Sequence, residues 1–272
     1  MTPVTHIRGE RMGDGERTGS DAVLDASEIV VRFGGVQALG GVDLAVAPGE
    51  ICGLIGPNGA GKTTLFDVLS GTTAPTRGTV SLAGDDVTAR SATWRARHGL
   101  RRTFQRQQIF GSLSVEDNVL TAVEWHGGGG GLPADLLGLP SRRRRERERR
   151  ERVGAVLEDC GLSELRHEPA GTLPIGMCRM VELARAVVDE PTVLLLDEPT
   201  SGLEESETEH LGEVITRVAA RGTAVVLVEH DVGFVMRRCH RIVVLHLGMV
   251  IAEGPPDAIQ RDAAVGAAYL GG

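Results

Sequence analysis

The sequence is poor in lysine and in aromatic residues. Only 3% of its 272 residues are aromatic, and Lys62 is the only lysine, since every other basic side chain is arginine. So few rings leave little surface for stacking on nucleic-acid bases. A net charge of −8 with 41% hydrophobic residues is typical of a globular protein. A chain of this length can hold one large α/β domain or a domain with a sizeable insertion, and we expect no nucleic acid among its partners.

Cysteine pairs and long apolar runs are also missing. The four cysteines, Cys52, Cys160, Cys178 and Cys239, form no C-x-x-C pair, which predicts reduced thiols with no disulfide and no zinc site. No apolar run approaches the ~18 residues that a membrane span needs, so work at a membrane would require a partner. The polar residues 1–22 lack apolar periodicity and are predicted to be a disordered leader.

A glycine-rich loop stands between a predicted strand and a predicted helix. The apolar run Ile51–Ile55 leads into Gly-x-x-x-x-Gly-Lys-Thr, the order that a phosphate-binding P-loop requires. Glycines let successive backbone N–H groups face an anion at the helix N-terminus. We expect Lys62 to reach the β and γ phosphates and the Thr63 hydroxyl to ligate Mg²⁺. The residues predicted to hold the nucleotide here are Gly56, Pro57, Asn58, Gly59, Ala60, Gly61, Lys62, Thr63 and Thr64.

Two carboxylates follow a second apolar run. Residues 192–196 form a continuous apolar stretch typical of a strand buried on both faces, and Asp197 and Glu198 come directly after it. Ligands bind at this end of the strands in open α/β sheets. Asp197 suits a water-mediated contact to Mg²⁺, and Glu198 suits activation of the attacking water. The alternative, two solvated carboxylates ending a core strand, is weakened by the P-loop upstream.

Three further residues have weaker signals. Phe33 could offer adenine a flat apolar surface, or it could be an ordinary half-buried strand residue. Gln105 could ligate Mg²⁺ or orient water, although a glutamine in a polar run is usually solvated. His230 follows the apolar run 224–228 and could touch the γ phosphate, but a histidine at a strand end is usually structural.

The middle of the chain has a different composition. We predict a helical subdomain over 109–183, with a capping box at Ser114 and a flexible loop at the glycine run 127–131. Residues 141–152 alternate arginine and glutamate, which favours a solvated helical face over an anion-binding surface. The predicted core comprises 23–108 and 184–272.

Taken in order, these motifs resemble the Walker A, Q-loop, Walker B, D-loop and H-loop of ATP-binding cassette (ABC) proteins. The residues concerned are the P-loop, Gln105, Leu194 to Pro199, Ser201 to Leu203 and His230. The resemblance implies a P-loop NTPase of RecA-like fold with an antiparallel β subdomain and an inserted helical subdomain. Residues 32–35, 102–105 and 268–271 look like the ATP-binding subunits of branched-chain amino-acid importers.

The resemblance also implies a mechanism and partners. ATP and Mg²⁺ would bind between two cassettes, the P-loop of one facing the signature helix of the other, in a homodimer or a heterodimer. Phe33 would stack on adenine, Gln105 would sense Mg²⁺ and the permease, and His230 would hold the γ phosphate. Hydrolysis through Glu198, Lys62 and His230 would drive uptake of a small solute. The partners would be transmembrane permease subunits and, indirectly, a solute-binding protein, at the cytoplasmic face of a bacterial-type cell membrane.

One motif departs from the family pattern. Where ABC proteins have Leu-Ser-Gly-Gly-Gln, this chain has Leu173-Pro174-Ile175-Gly176-Met177, so Gly176 remains the candidate phosphate contact while the serine hydroxyl is missing. Glu204 also replaces the D-loop aspartate. Two alternatives to an importer ATPase follow: a catalytically weakened regulatory cassette in a heterodimer, and a non-transport ABC ATPase of DNA repair or translation.

Overall fold

The computed structural model of the protein describes residues 21–103, 108–124 and 140–270. The predictions for most of the leader, for Gln105 and for the glycine run fall outside these ranges. The described strands are β1 Leu24–Phe33, β2 Val36–Val46, β3 Ile51–Ile55, β4 Arg77–Leu82, β5 Asp85–Asp86, β6 Leu100–Arg102, β7 Val193–Asp197, β8 Ala224–Val228, β9 Arg241–His246 and β10 Met249–Gly254.

Helices connect these strands. In the described ranges they are α1 Lys62–Ser70, α2 Ala92–Arg97, α3 Val115–Glu124, α4 Pro140–Asp159, α5 Ile175–Val187, α6 Glu205–Ala220, α7 Val232–Arg238, α8 Pro256–Arg261 and α9 Ala263–Leu270, with short 3-10 turns at Ser163–Leu165 and Ala170–Thr172. Of these, α2, α6, α7, α8 and α9 were not predicted from the sequence.

The strands form two sheets. One is a four-stranded antiparallel sheet in the order β2-β1-β4-β5, and the other has six strands in the order β10-β9-β3-β8-β7-β6. In the larger sheet β9, β3, β8, β7 and β6 run parallel, and β10 is antiparallel to β9. The register pairs Val228 with both Leu54 and Asp197. The P-loop, the acidic pair and His230 therefore leave the sheet at the same edge.

A hydrophobic core lies on each side of the six-stranded sheet. Along β7, Leu194 and Leu196 belong to the core beneath α3, α5 and α6, whereas Val193 and Leu195 belong to the core shared with α1 and the antiparallel sheet. Alternate residues of a strand point to opposite faces, so a continuous apolar run serves both cores. This packing explains why the strand that ends in Asp197 is buried along its length.

The far end of the P-loop helix is held by a buried arginine. Arg95 of α2 is fully buried, and its guanidinium donates to the carbonyl oxygens of Val68 and Leu69 at 2.7 Å each and of Val87 at 2.7 Å. A cation at a helix C-terminus interacts favourably with the helix dipole. Arg95 thus anchors α1 at the end opposite to Lys62.

The arginine-rich helix is exposed. Within α4, Arg144, Arg147 and Arg150 each pair with a glutamate one turn away, at 2.7 to 2.9 Å. Exposed pairs of this spacing contribute little to stability because solvent screens them. Their mutual neutralisation favours the solvated-face interpretation of this segment. None of the helices in the described ranges is long and apolar enough to cross a membrane.

Candidate nucleotide-binding site

The P-loop is a tight turn that only glycine allows at its two ends. Gly56 has φ 152°, and a Cβ added there would lie 2.1 Å from the Leu245 carbonyl oxygen. Gly61 has φ 105° and is the N-cap of α1, where a Cβ would approach the Ala38 oxygen to 2.9 Å. At Gly56 and Gly61 the loop therefore lies against β9 and β2 with no room for a side chain. Helix α1 then begins at Lys62, with its unpaired N–H groups directed at the loop.

The side chain of Lys62 folds back over this loop. Its Nζ donates to the carbonyl oxygens of Gly56 at 2.7 Å and Pro57 at 3.0 Å, and the residue is only 7% exposed. Burial lowers the pKa of this amino group, while the charges of Glu198 and Asp197 act in the opposite direction. The lysine and the acidic pair are thus close enough to interact electrostatically.

The acidic pair ends β7. Asp197 is mostly buried, and Glu198 follows with φ 48°, in the left-handed region that non-glycine residues rarely adopt. Its backbone N–H donates to Val228 O at 2.9 Å, which fixes the turn against β8. Such strained conformations concentrate at functional sites, where surrounding contacts hold them.

His230 lies beside the acidic pair. Its Nε2 lies 2.9 Å from Oε1 of Glu198. The preceding residue, Glu229, is buried and accepts from Thr200 N at 2.8 Å, Thr200 Oγ1 at 2.7 Å and His230 N at 3.0 Å. Glu229 therefore joins the turn after the acidic pair to the turn that carries the histidine.

A cavity of about 480 Å³ lies over these residues. Its walls come from the start of β2, the P-loop, the turns that carry Glu198 and His230, and the β9-β10 turn. The lining residues are Val36, Gln37, Ala38, Asn58, Gly59, Ala60, Gly61, Lys62, Thr63, Thr64, Glu198, Val228, His230 and Leu247. An apolar rim beside a cationic loop suits a ligand with a flat base and a phosphate tail.

Other predicted residues lie at or beyond the edge of this cavity. Phe33 is 55% exposed at the end of β1, opposite Val36, which lines the cavity. Gly176 lies in the first turn of α5 and does not line this cavity; a Cβ on it would come within 2.0 Å of Glu207 Oε1. Within one chain, therefore, the structure brings Lys62, Glu198 and His230 together but not Gly176.

Two contacts were missed from the sequence. Arg102 donates to Asp197 Oδ2 at 3.1 Å and to Asp67 Oδ1 at 2.6 Å. On the C-terminal helix, burial raises the pKa of Tyr269, and a hydrogen bond to the backbone of Gly56 acts in the opposite direction. A strand arginine and a C-terminal tyrosine have no local signal for such contacts, because each partner is far away in the chain.

The residues present fit a magnesium nucleotide. The P-loop is a cradle that a Cβ at Gly56 would obstruct, and its single lysine is held over it. The Thr63 side chain lines the cavity, and Asp197 is close enough to Lys62 to affect its pKa. A hydroxyl and a carboxylate are the hard oxygen ligands that Mg²⁺ prefers. No cluster of three or more His, Cys, Asp or Glu that could hold a metal occurs in the described ranges, so phosphate oxygens and water would complete the coordination.

Comparisons with known proteins agree with this geometry. The family model described as ABC transporter matches residues 39–201, and the one described as branched-chain amino acid ATP-binding cassette transporter matches residues 249–272. The chain is 38% identical to the high-affinity branched-chain amino acid transport ATP-binding protein BraF of Pseudomonas aeruginosa and 39% identical to its counterpart LivG of Escherichia coli. Each alignment spans 253 residues, 93% of this chain and 99% of the relative.

Solved structures show the same fold. The crystal structure of the ADP conformation of an ATP-binding cassette of an ABC transporter superposes with a TM-score of 0.80 at 29% identity, covering 92% of this chain and 99% of that one. The fold class predicted from the sequence is confirmed.

Proposed function

This chain belongs to the ABC transporter family as an ATP-binding, ATP-hydrolysing subunit, and we propose that its hydrolysis powers uptake of branched-chain or related amino acids. Membership confirms the resemblance found in the motifs and implies transmembrane permease partners. The solute is proposed from the names of BraF and LivG and from the match over residues 249–272. We place the protein at the cytoplasmic face of the cell membrane, bound to its permease, with a solute-binding protein acting on the permease from the other side.

The observation that supports catalysis best is the meeting of Lys62, Glu198 and His230 at one cavity. The α1 N-terminus and Lys62 bind the β and γ phosphates, and Asn58, Gly59 and the rest of the loop contribute backbone N–H groups. When bound, Mg²⁺ neutralises charge on the phosphates.

The other side chains have separate roles. Thr63, Asp197 and Gln105 would hold the metal, and Phe33 would offer a face to adenine. Glu198 accepts a proton from the attacking water, while His230, bonded to Glu198, reaches toward the γ phosphate.

The same geometry supports the proposal of a second cassette. Gly176 does not line the cavity over the P-loop of its own chain, and the α5 N-terminus would instead face a nucleotide held by another chain. We propose that nucleotide binding closes a dimer and that hydrolysis reopens it, and that the permease converts this movement into transport.

Two assays test the proposal. The purified full-length chain should release phosphate from ATP only with Mg²⁺, and membrane vesicles containing the chain and its permease should take up radiolabelled leucine when given ATP and solute-binding protein. Hydrolysis without uptake of any branched-chain amino acid would refute the proposed solute alone. An absence of Mg²⁺-dependent hydrolysis, with and without permease, would refute the catalytic roles.

A second candidate, a weakened cassette in a heterodimer, is favoured by the start of α5. The N-cap is Pro174, whose side chain cannot form a hydrogen bond to the first turn of the helix. The Glu207 carboxylate lies against Gly176. A hydrogen bond to a charged group contributes ~1.5 to 3 kcal/mol. Without the serine hydroxyl of the family pattern, the α5 N-terminus would therefore bind a γ phosphate more weakly. If Pro174→Ser raises hydrolysis about tenfold, this candidate gains support; an unchanged rate removes it.

A further inference from the structure

We infer that Arg102 is a positioning residue that fixes Asp197 relative to the P-loop helix, and thereby sets how strongly the site holds magnesium. The inference rests on the proposed function, because it concerns two of the three side chains proposed for Mg²⁺. These two are Thr63, on α1, and Asp197, at the end of β7. They belong to different elements of the fold, so something must fix their separation.

Arg102 contacts both elements. Its guanidinium donates to Asp197 Oδ2 at 3.1 Å, and through Nη1 to Asp67 Oδ1 at 2.6 Å and Ser70 Oγ at 3.0 Å. Asp67 and Ser70 lie on α1, the helix that also carries Thr63. The planar guanidinium of Arg102 therefore links Asp197, the carboxylate proposed to bind Mg²⁺, to α1, the helix that carries the Thr63 hydroxyl.

The geometry makes this tie a rigid one. The Arg102 side chain is 7% exposed and that of Asp197 11%, so the pair is screened little by solvent. The Arg102 guanidinium also lies 5.7 Å from the centre of the Phe66 ring, which restricts its rotation. An arginine fork can hold several acceptors at fixed angles, whereas a lysine ammonium is a point charge on a flexible stem.

The pair also leaves Asp197 able to act on a metal. Arg102 bonds Oδ2, and the other carboxylate oxygen takes no part in this ion pair. Groups that hydrogen-bond a metal-binding carboxylate orient it, and their replacement typically costs ~10- to 100-fold in metal affinity or activity. Arg102 occupies that position here.

Arg102 also lies next to the predicted Q-loop. It is the last residue of β6, which pairs with β7 in parallel register, and Gln105 follows three positions later. In the sequence, Arg102 therefore lies three positions before the residue predicted to sense the permease.

Its neighbour supplies a matched control. Arg101 is on the same strand and points to the opposite face, where it forms an ion pair with Asp189 at 2.8 Å. Its side chain is 15% exposed and that of Asp189 8%, so this pair is comparably buried. Loss of either arginine should lower stability, but only the loss of Arg102 should affect magnesium.

The test is a magnesium titration of nucleotide binding, which does not depend on turnover. The purified full-length chain and the variants Arg102→Gln, Arg102→Lys and Arg101→Gln are titrated with a fluorescent ATP analogue in EDTA and at increasing Mg²⁺, and each variant is checked by thermal unfolding. We expect Arg102→Gln to raise about tenfold the Mg²⁺ concentration at which binding of the ATP analogue is enhanced by half its maximum. Its affinity in EDTA should change less than twofold. Arg102→Lys should be intermediate, which keeps the test informative if the glutamine variant fails to fold. Arg101→Gln should stay within twofold of the wild type.

Three results would overturn the inference: an unchanged magnesium dependence in Arg102→Gln, a tighter one, or an equal shift in Arg101→Gln. An unchanged dependence would mean that Arg102 has only a structural role, and a tighter one would mean that its positive charge competes with Mg²⁺. An equal shift in Arg101→Gln would mean that the loss of magnesium affinity reflects a general loss of stability. If the wild type itself shows no Mg²⁺-dependent binding, the proposed function fails instead, so the two failures are distinguishable.

Discussion

Glu198 and His230 are hydrogen-bonded to each other, with Oε1 of the glutamate 2.9 Å from Nε2 of the histidine, although 32 positions separate them in the chain. The bond joins the turn after β7 to the turn after β8. Each turn is further held by Glu229, which bonds Thr200 and the His230 backbone. The proposed base and the proposed γ-phosphate contact are therefore one coupled unit.

Replacing Glu198 should separate hydrolysis from binding. Glu198→Gln keeps the shape and the bond to His230 but cannot accept a proton, so we expect phosphate release to fall ~100- to 10,000-fold while ATP affinity changes little. The variant should also accumulate an ATP-bound dimer, measured by light scattering. Hydrolysis within tenfold of the wild type would show that another residue is the base.

The coupling itself predicts non-additive losses. His230→Ala should reduce the rate of hydrolysis. In the double variant with Glu198→Gln, the total fold loss should be much smaller than the product of the two single losses, because each substitution disrupts the same unit. Steady-state rates of the wild type, both single variants and the double variant form the cycle. Fully multiplicative losses would mean that the two side chains act independently.

Because Lys62 is the only lysine, amine chemistry reports on the P-loop directly. Burial lowers the pKa of Lys62 from its ordinary value of 10.5, so a larger fraction is neutral and nucleophilic at a given pH than for a solvated lysine. Labelling by an amine-reactive ester, followed by peptide mapping, should rise with pH with a midpoint below 10.5. ATP should protect the residue, and modification of the N-terminal amine is the internal control. Equal labelling with and without saturating ATP would contradict the proposed phosphate contact.

The P-loop glycines should differ in their tolerance of alanine. Gly56→Ala places a Cβ 2.1 Å from the Leu245 backbone oxygen, so we expect a loss of at least ~2 kcal/mol in unfolding free energy together with loss of nucleotide binding. Gly59→Ala is the control: it has φ 78° but open space around its Cβ, and should cost only the ~1 to 2 kcal/mol of left-handed backbone strain. Denaturant unfolding measures both, and equal costs would contradict the close approach at Gly56.

The thiols should be inert in the folded chain. All four cysteines are buried, and burial raises the pKa of Cys160 to about 12. The reactive form is the thiolate, so at pH 8 native Cys160 should react with a thiol reagent far more slowly than the unfolded chain does, with the rate rising only at high pH. Rapid labelling of Cys160 at neutral pH under native conditions would refute this burial.

Local patterns were enough to predict the parts of the site that are continuous in sequence. The strand before the P-loop and the helix that follows it were predicted from an apolar run and glycines, and both are confirmed. The apolar run before Asp197 also predicted a strand buried on both faces, and β7 is buried along its length.

Contacts between distant segments could not be predicted in this way. Nothing near Arg102 indicates that it pairs with Asp197, and nothing near Glu207 indicates that it rests on Gly176, since both contacts depend on how whole helices and strands pack. Strand β1 also begins several residues before its most apolar stretch, because its backbone pairing with β4 continues through polar residues. Tertiary pairing, rather than propensity, sets those bounds.

The most direct test of the central claim is calorimetric titration of ATP with Mg²⁺ into the purified chain and its Lys62→Ala variant. If the loop that ends in Lys62 holds the nucleotide's phosphates, the wild type should bind one ATP per chain, and the variant should bind at least ~10-fold more weakly, as expected from loss of a charge-assisted contact. Equal affinities for the two proteins, or no binding to the wild type, would contradict the account.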